Sequence, residues 1–518
     1  MERLYRLLPF LAWLPGLGPR AMAREAWVGL AGAVLALPQS IAYALIAGLP
    51  PQYGLYAAML PVVVACLWGS SRHMVGGPTA AISVVLYATV APLAPPGSET
   101  FIQYVLLLTF LAGILQWALG AMRAGVLLNF VSHSVMLGFT LGAALVIALG
   151  QLPYLLGVEV HSRGSALDGT RLLLARLGEC EPASLAIGLL SLAASLLCRW
   201  LRPRWPALMF GLLVASLTVW ALPGWFGGVA RVRAFASALP PFSPLQVDTA
   251  GIAALLPGAL ACGLLGLVTS LSIARALAAR SQQVLDANQE IRAQGLSNLV
   301  GPWFSGSLSA GSFTRSGLNL EAGARTPLAG VFSAAWVAVL AVAGAGLITH
   351  IPLPAMAGGI LLIAWGLVDR PALRALWRGS RSEFAVMALT AAATLLLPLQ
   401  NAIYLGVLAS LLLYLRRTSQ PRVERWQASE EEVLRVEGSI FFGACDYLQR
   451  LIQASQGRRL VLDARHVNFI DFAGAHMLQQ EARRLAGEGR HLVLRHARPR
   501  VREELARQMG EGAVLQVE

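Results

Sequence analysis

Lysine is absent from this chain, and all 40 of its basic residues are arginine. Charge of either sign is scarce, at 13% of the 518 residues against 56% hydrophobic, and the mean hydropathy is +0.62. A soluble fold of this length needs far more charged surface, so lipid, not water, is the main solvent. Acids are scarcer than bases, 27 against 40, for a net charge of +13. That balance raises a nucleic-acid partner, but the arginines cluster at the ends of hydrophobic runs and form no soluble basic platform. No nucleic acid is expected. The five cysteines (Cys66, Cys180, Cys198, Cys262, Cys445) show neither paired nor metal-ligand spacing, which excludes a disulfide framework and leaves neutral thiols. The eight histidines do not cluster either. His133 stands alone in an apolar run, and His73 sits beside Arg72 in a structural setting. Without a nucleophile–base pair or metal ligands at one depth, the chain is not expected to be an enzyme or to hold a cofactor. No cleavable signal is visible, because Met1 to Arg24 are polar and basic with interspersed prolines.

What the chain has in abundance is apolar runs. A spanning helix needs about 20 such residues to cross about 30 Å of hydrocarbon. Runs near 102–122, 125–150, 183–201, 207–222, 252–274, 328–349 and 384–415 qualify, the last split at Pro398–Asn401. Shorter stretches broken by glycine or proline lie near 28–48, 53–68, 79–92, 293–304, 313–322 and 355–368. The total is about fourteen membrane segments, several too short to span alone, which is the pattern of a transporter. With the N-terminus inside, most connector arginines, such as Arg20, Arg24, Arg72, Arg123, Arg275, Arg280, Arg370 and Arg374, fall on the cytoplasmic side. The outside connectors hold Arg163, Arg171, Arg176, Arg231 and Arg233, mixed with Glu159, Asp168 and Glu181. Both termini of this multi-pass protein are then expected in the cytoplasm, at a plasma (inner) membrane.

After Pro421 charges become frequent, and strand-like runs appear at Val433–Phe442, Leu460–Asp463 and His491–Leu494. Ala475, Leu478, Ala482 and Leu485 recur at helical spacing, with Glu481, Arg483 and Arg484 expected toward solvent. The expected division is a cytoplasmic N-terminus over 1–24, a transmembrane unit over 25–418 and a small cytoplasmic α/β domain over 419–518.

Two stretches are wrong for lipid. Gly76-Gly77-Pro78-Thr79-Ala80-Ala81 and Ser309-Ala310-Gly311-Ser312-Phe313-Thr314-Arg315-Ser316 each pair a glycine-containing break with a hydroxyl residue at a helix start. Each begins the third segment of its half. A helix N-terminus leaves N–H groups unpaired and carries about half a positive charge, so two meeting near mid-membrane form an anion site. Thr79, Ser312 and Thr314 can add hydrogen bonds. Arg315 adds a full charge where insertion costs about 2.5 kcal/mol or more, which a bound anion, or a partner such as Glu321, would offset.

The run from Ala31 through Leu37-Pro38-Gln39-Ser40-Ile41-Ala42-Tyr43-Ala44 to Gly48-Leu49-Pro50-Pro51 and Gly54-Leu55-Tyr56 resembles the signature of the sulfate permease family, called SulP in bacteria and SLC26 in animals. Gly69-Ser70-Ser71-Arg72-His73 with Gly77-Pro78-Thr79 is similar to its second block. Asp286-Ala287-Asn288-Gln289-Glu290, Gln294-Gly295-Leu296-Ser297-Asn298 and Gly311-Ser312-Phe313-Thr314-Arg315-Ser316 through Gly323-Ala324-Arg325-Thr326-Pro327 are similar to its third. The resemblance implies a seven-plus-seven inverted-repeat transporter with a cytoplasmic STAS domain, usually a homodimer. A mobile core (segments 1–4 and 8–11) would hold the anion between the starts of segments 3 and 10 and move against a gate like an elevator. It also implies that Gln39 and Tyr43 line the pocket, with Thr79, Ala80, Gly311, Ser312, Phe313, Thr314 and Arg315 at the two helix starts. The expected partners are a small inorganic anion, membrane lipid, a second copy of the chain and, through the STAS domain, a cytoplasmic protein.

Two departures from the family bear on function. Many relatives carry an acid on segment 8 facing the site, where this chain has Thr269 within Leu265-Gly266-Leu267-Val268-Thr269-Ser270. Threonine cannot titrate there, so coupling through the usual acid is in doubt, and Glu321 is the nearest candidate in sequence. The loss leaves the site more positive, which favours sulfate; bicarbonate, dicarboxylates, exchange and channel-like conduction stay open. In the STAS domain the turn Asp471-Phe472-Ala473-Gly474 lacks the serine that relatives can phosphorylate, and Asp471 is expected as a helix N-cap.

Overall fold

The computed structural model describes residues 8–125, 132–158, 166–202, 205–232, 237–247, 249–397, 399–428, 431–508 and 515–518. They form two compact units, Met1–Val407 and Leu408–Glu518. Fourteen helices follow the order of the hydropathy runs: α1 Pro19–Ile46, α2 Pro51–Trp68, α3 Ala80–Val90, α4 Glu99–Ala121, α5 His133–Leu156, α6 Pro182–Leu201 and α7 Ala207–Ala221 in the first half. The second half has α8 Thr249–Ser281, α9 Ala287–Val300, α10 Phe313–Glu321, α11 Leu328–Ile348, α12 Leu353–Leu367, α13 Arg381–Leu396 and α14 Leu399–Thr418. Among the described residues eight stretches are long and apolar enough to cross a membrane: α1, α2, α4, α5, α6, α8, α11 and the Leu353–Gly379 stretch that begins with α12. α3 and α7 are apolar but shorter.

Local chemistry sets these boundaries. Prolines open α1, α2 and α6, where the missing N–H costs nothing. Ser98 caps α4 by accepting the Phe101 N–H at 3.2 Å, and Asp286 caps α9 by accepting those of Asn288 and Gln289 at 2.9 and 3.0 Å. Ser132 caps α5, so that helix begins later than the 125–150 run implies. His133 is therefore its exposed first residue, at a helix end and not packed within a span. The 207–222 run yields only the 15 residues of α7. Tryptophans exposed at both ends of α6 and α7, Trp200 and Trp205 at one and Trp220 and Trp225 at the other, have the placement of side chains at a membrane–water interface.

Packing relates the two halves. α1 packs on α11 as α8 packs on α4, and α5 packs on α13 as α6 packs on α12. Exchanging each helix for the one seven places along maps these contacts onto one another, as two like halves require. α1–α4 and α8–α11 pack chiefly among themselves, and α5–α7 pack chiefly with α12 and α13. A close seam joins α4 to α9. A methyl on Gly295 would lie 2.6 Å from the Trp117 Cα, and one on Gly113 would lie 2.7 Å from the Asn298 carbonyl carbon.

The second unit carries the end of α14 and a five-stranded sheet: β1 Arg422–Ala428, β2 Glu431–Ile440, β3 Arg459–Ile470, β4 His491–Arg495 and β5 Gln516–Val517, in the order β1-β2-β3-β4-β5. β1 and β2 are antiparallel and the other neighbours parallel. Helices α15 Phe442–Gln453, α16 Phe472–Gly487 and α17 Pro499–Gln508 complete it. Leu434, Val436, Leu448, Leu462, Leu478 and Leu494 centre the core. Asp471 caps α16 as expected, accepting the Gly474 N–H at 2.8 Å, and also accepts the Phe442 N–H at 3.0 Å. Glu481 is a correction, since it is buried and not solvent-facing. Burial pushes its carboxyl up, but Arg484, Gln449 and Gln453 pull harder and hold it below the usual carboxylate range. β1, β5, α15 and α17 have no counterpart in the sequence reading, although Ala444, Leu448 and Ile452 of α15 and Val501 and Leu505 of α17 recur at helical spacing and are buried.

Gly295→Val is expected to force the α4–α9 seam apart, at a cost of about 3 kcal/mol or more for overpacking against backbone. The yield of monodisperse protein in detergent and its thermal midpoint both fall, whereas the surface change Gly487→Val, with open space around it, leaves both unchanged.

Candidate anion site

Between α2 and α3, and again between α9 and α10, the chain is extended inside a helical unit. Those two stretches pair. The Ala310 N–H donates to the Gly77 carbonyl at 2.9 Å, and the Ser312 N–H donates to that of Val75 at 3.1 Å. Non-helical backbone at membrane depth persists only when its polar groups find such partners. Each stretch then turns into a helix, α3 from its N-cap Thr79 and α10 from its N-cap Ser312. The two helix starts are thus tied together by a two-bond ladder.

The N–H groups that follow the ladder have no acceptor among the described residues: Ala80, Ala81 and Ile82 in α3, and Phe313 and Thr314 in α10. Thr79 makes no cap hydrogen bond with its side chain. Ser312 turns back, its hydroxyl 3.5 Å from the Arg315 N–H and 3.2 Å from the Thr314 hydroxyl. Phe313 and Thr314 are exposed, while Ala80 and Ser312 are buried.

Arg315, third in α10, is 2% exposed. Its Nη1 donates to the Gly76 carbonyl at 3.3 Å and its Nη2 to the Ser40 hydroxyl at 2.9 Å, while its Nε has no partner. Among the described residues no carboxylate pairs with it. Glu321 does not, being exposed at the far end of α10. Gly77 makes room for the guanidinium. It holds φ at +135°, and any Cβ there would drive into Arg315.

α1 supplies the facing wall. Gln39 and Tyr43, four apart on one face, are both buried, and the Gln39 side-chain oxygen has no partner. On α8 the Thr269 hydroxyl donates back to the Leu265 and Gly266 carbonyls at 2.8 and 3.0 Å, so its proton is spent on its own helix. Its neighbour Ser270, not singled out by sequence, reaches further, accepting the Gly311 N–H at 2.7 Å and sitting 3.3 Å from the Gln294 side-chain oxygen. Gln294 and Asn298 both donate to the Ser309 carbonyl, at 2.6 and 2.9 Å, and Asn298 also donates to Gln116 at 2.8 Å. These buried amides fix the approach to α10. Their i,i+4 spacing, which puts both amides on one face of α9, was the available signal.

The sequence blocks also clasp each other at one edge. The buried Glu290 carboxylate accepts the N–H groups of Ser70 and Ser71 at 2.7 and 2.9 Å. Gln289 donates to the Gly69 carbonyl at 3.1 Å, and Gln283 to that of Ser70 at 2.6 Å. Glu25 of α1 likewise accepts the Arg325 N–H at 3.1 Å.

Broken helices tied start to start around a buried cation, joined to a compact α/β unit, define an integral membrane protein of the anion-carrier class. The model of the sulfate permease family matches residues 25–390, and that of the STAS domain matches 427–511. The chain belongs to the sulfate permease family, and it is an anion transporter rather than an enzyme. A sodium-independent sulfate anion transporter of Bos taurus is 29% identical over 514 residues, 91% of this chain and 83% of that protein. Chloroplastic sulfate transporter 4.1 of Arabidopsis thaliana is 30% identical over 402 residues, 76% of this chain and 58% of that protein. The murine Solute Carrier 26 family member A9 anion transporter, in its inward-facing state, superimposes with a TM-score of 0.90 at 21% identity, over 100% of this chain and 93% of that one. The transmembrane domain of a cyanobacterial bicarbonate transporter, BicA, gives 0.67 at 23% identity, over 76% of this chain and 98% of that one. At these identities the structures establish the fold alone.

Gly77→Ala is expected to displace the Arg315 guanidinium and to strain a left-handed backbone by about 1–3 kcal/mol. Anion uptake into proteoliposomes drops at least tenfold in this variant, while Gly76→Ala, whose added methyl meets the flexible Ser309 hydroxyl at 3.1 Å, loses less.

Proposed function

We propose that the protein carries a small inorganic anion, sulfate first, by alternating access, the ion being held between the N-termini of α3 and α10. The observation that supports this is the set of five acceptor-less N–H groups at the two helix starts beside a buried arginine without a carboxylate. About half a charge from each helix end and one from Arg315 come to about two positive charges, the complement of a divalent oxyanion. Thr79, Ala80, Ser312, Phe313, Thr314 and Arg315 form the cradle. Gln39 and Tyr43 close it from α1. Thr269 and Gly311 shape the wall without donating, because the hydroxyl of one and the N–H of the other are already engaged.

In this reading α1–α4 and α8–α11 move as a core against α5–α7 and α12–α14 in a seven-plus-seven inverted repeat. The arginine bias supports both termini on the cytoplasmic side; the reading further takes the membrane as the plasma (inner) membrane, closes the transport unit at about residue 418 and pairs two copies as a homodimer. Neither a group that titrates near neutral pH nor a carboxylate that would neutralise a cation lies among the proposed site residues, so in this reading transport is not coupled to protons or sodium through the usual acid. The name of the bovine relative, sodium-independent, agrees with this.

Radiolabelled sulfate uptake into proteoliposomes tests the proposal. Saturable uptake that is flat from pH 6 to 8 and indifferent to proton and sodium gradients is expected; no sulfate uptake by folded protein would transfer the site to bicarbonate or a dicarboxylate. Arg315→Ala removes a charge-assisted contact of about 3 kcal/mol, so uptake falls roughly 100-fold while the detergent-purified protein stays monodisperse. Thr269→Glu places a carboxylate at the wall. It weakens sulfate uptake at neutral pH and restores part of it as pH falls and the carboxylate protonates, whereas an unchanged pH profile would show that the position does not face the ion.

A further inference from the structure

Three phenylalanines stand in the open on the second unit, although its core is well filled: Phe442 is 72% exposed, Phe469 46% and Phe472 69%. Isolated exposed apolar side chains are ordinary, but these form one patch. The Phe441 ring lies 5.4 Å from that of Phe442 and 6.4 Å from that of Phe469. Asp471 joins the Phe442 N–H to the start of the helix that Phe472 opens, and His476 stacks on Phe472 at 6.1 Å.

Strand register locates the patch. β1 begins at Arg422 opposite Glu437, near the end of β2, and Ile440 at the end of β2 lies opposite Ile470 at the end of β3. The start of β1 and the ends of β2 and β3 therefore share one edge of the sheet, and the phenylalanines flank it. α14 enters at that same edge. Its final turns expose Leu408, Leu412, Tyr414 and Leu415 and then present Arg416 and Arg417, the sequence of a helix leaving hydrocarbon. Only Ser419, Gln420 and Pro421 separate it from β1, a reach of about 10 Å.

The patch is basic on its other flank. β4 pairs with β3 only over Arg459–Asp463, leaving the stretch from Arg465 to Phe469 without a strand on that side. Arg498 folds over it, donating to the Arg465 carbonyl at 3.2 Å and to Asn468 at 3.3 Å. Arg465, His466 and Arg498 are exposed beside Phe469. Phenylalanine with arginine, at the end of the sheet where the chain arrives from α14 through a three-residue linker, matches the headgroup zone of a bilayer containing anionic lipid.

We propose that this edge of the STAS domain docks on the anionic phospholipid surface around α14, with Phe442, Phe469 and Phe472 entering the interfacial zone and Arg465 and Arg498 meeting lipid phosphates. The proposal is independent of which anion is carried. The test uses the full chain in vesicles of phosphatidylglycerol and phosphatidylcholine, with p-benzoylphenylalanine substituted in turn for Phe442, Phe469 and Phe472, and for Glu488 at the end of α16 as a control. After irradiation, mass spectrometry is expected to find phospholipid adducts at the three phenylalanine positions at least tenfold above the control, falling several-fold when phosphatidylcholine is the only lipid. A covalent chain dimer or an intrachain product without lipid adduct would overturn the proposal in favour of a protein contact. Equal yields with and without phosphatidylglycerol would overturn the electrostatic part of it.

Discussion

Arg315 carries a full charge in a part of the molecule where the described residues offer it only a carbonyl and a hydroxyl, at 3.3 and 2.9 Å. Neutral oxygens orient a guanidinium without neutralising it, so an inward pull on anions is built into the resting protein. Much of the nearby architecture follows from holding that charge in place. The ladder between the stretches around Gly77 and Ala310 keeps the two helix starts together, Gly77 lacks the side chain that would collide with the guanidinium, and Ser40 anchors one end of it from α1. Ser270, Gln294 and Asn298 then pin the approach to α10, so that its N–H groups keep their direction.

The same principle explains why so many polar side chains lie inside an apolar unit. Extended backbone in a membrane protein leaves donors and acceptors that lipid cannot satisfy. Gln116, Gln283, Gln289, Gln294, Asn298 and Glu290 satisfy them here, largely through backbone groups of the two broken stretches. They position the two helix starts and, in the proposed reading, leave contact with the ion to the helix ends and to Arg315.

Much of this was legible in the sequence. The two breaks at Gly76–Thr79 and Ser309–Ser312 gave themselves away by glycine and hydroxyl residues in apolar surroundings, and Arg315 by its charge. The segment order followed from hydropathy, because about 20 apolar residues have few other uses. What was hidden depended on contacts distant in sequence. Nothing local says that Ser270 rather than Thr269 reaches the Gly311 N–H, since both sit on one helical turn and differ only in direction. Glu481 was placed outside because its charge outweighed its helical phase, yet Gln449 and Gln453 on the neighbouring helix satisfy it inside the fold. His133 was misplaced because hydropathy runs through a boundary that the Ser132 cap draws.

The central claim is that an oxyanion sits between the starts of α3 and α10. Selenate, isosteric with sulfate and a strong anomalous scatterer, locates it directly in a crystal of the purified protein. The account predicts one anomalous peak within hydrogen-bond reach of the Ala81 and Thr314 N–H groups, lost in Arg315→Ala. A peak elsewhere in the membrane unit, or an unchanged peak in Arg315→Ala, would contradict it.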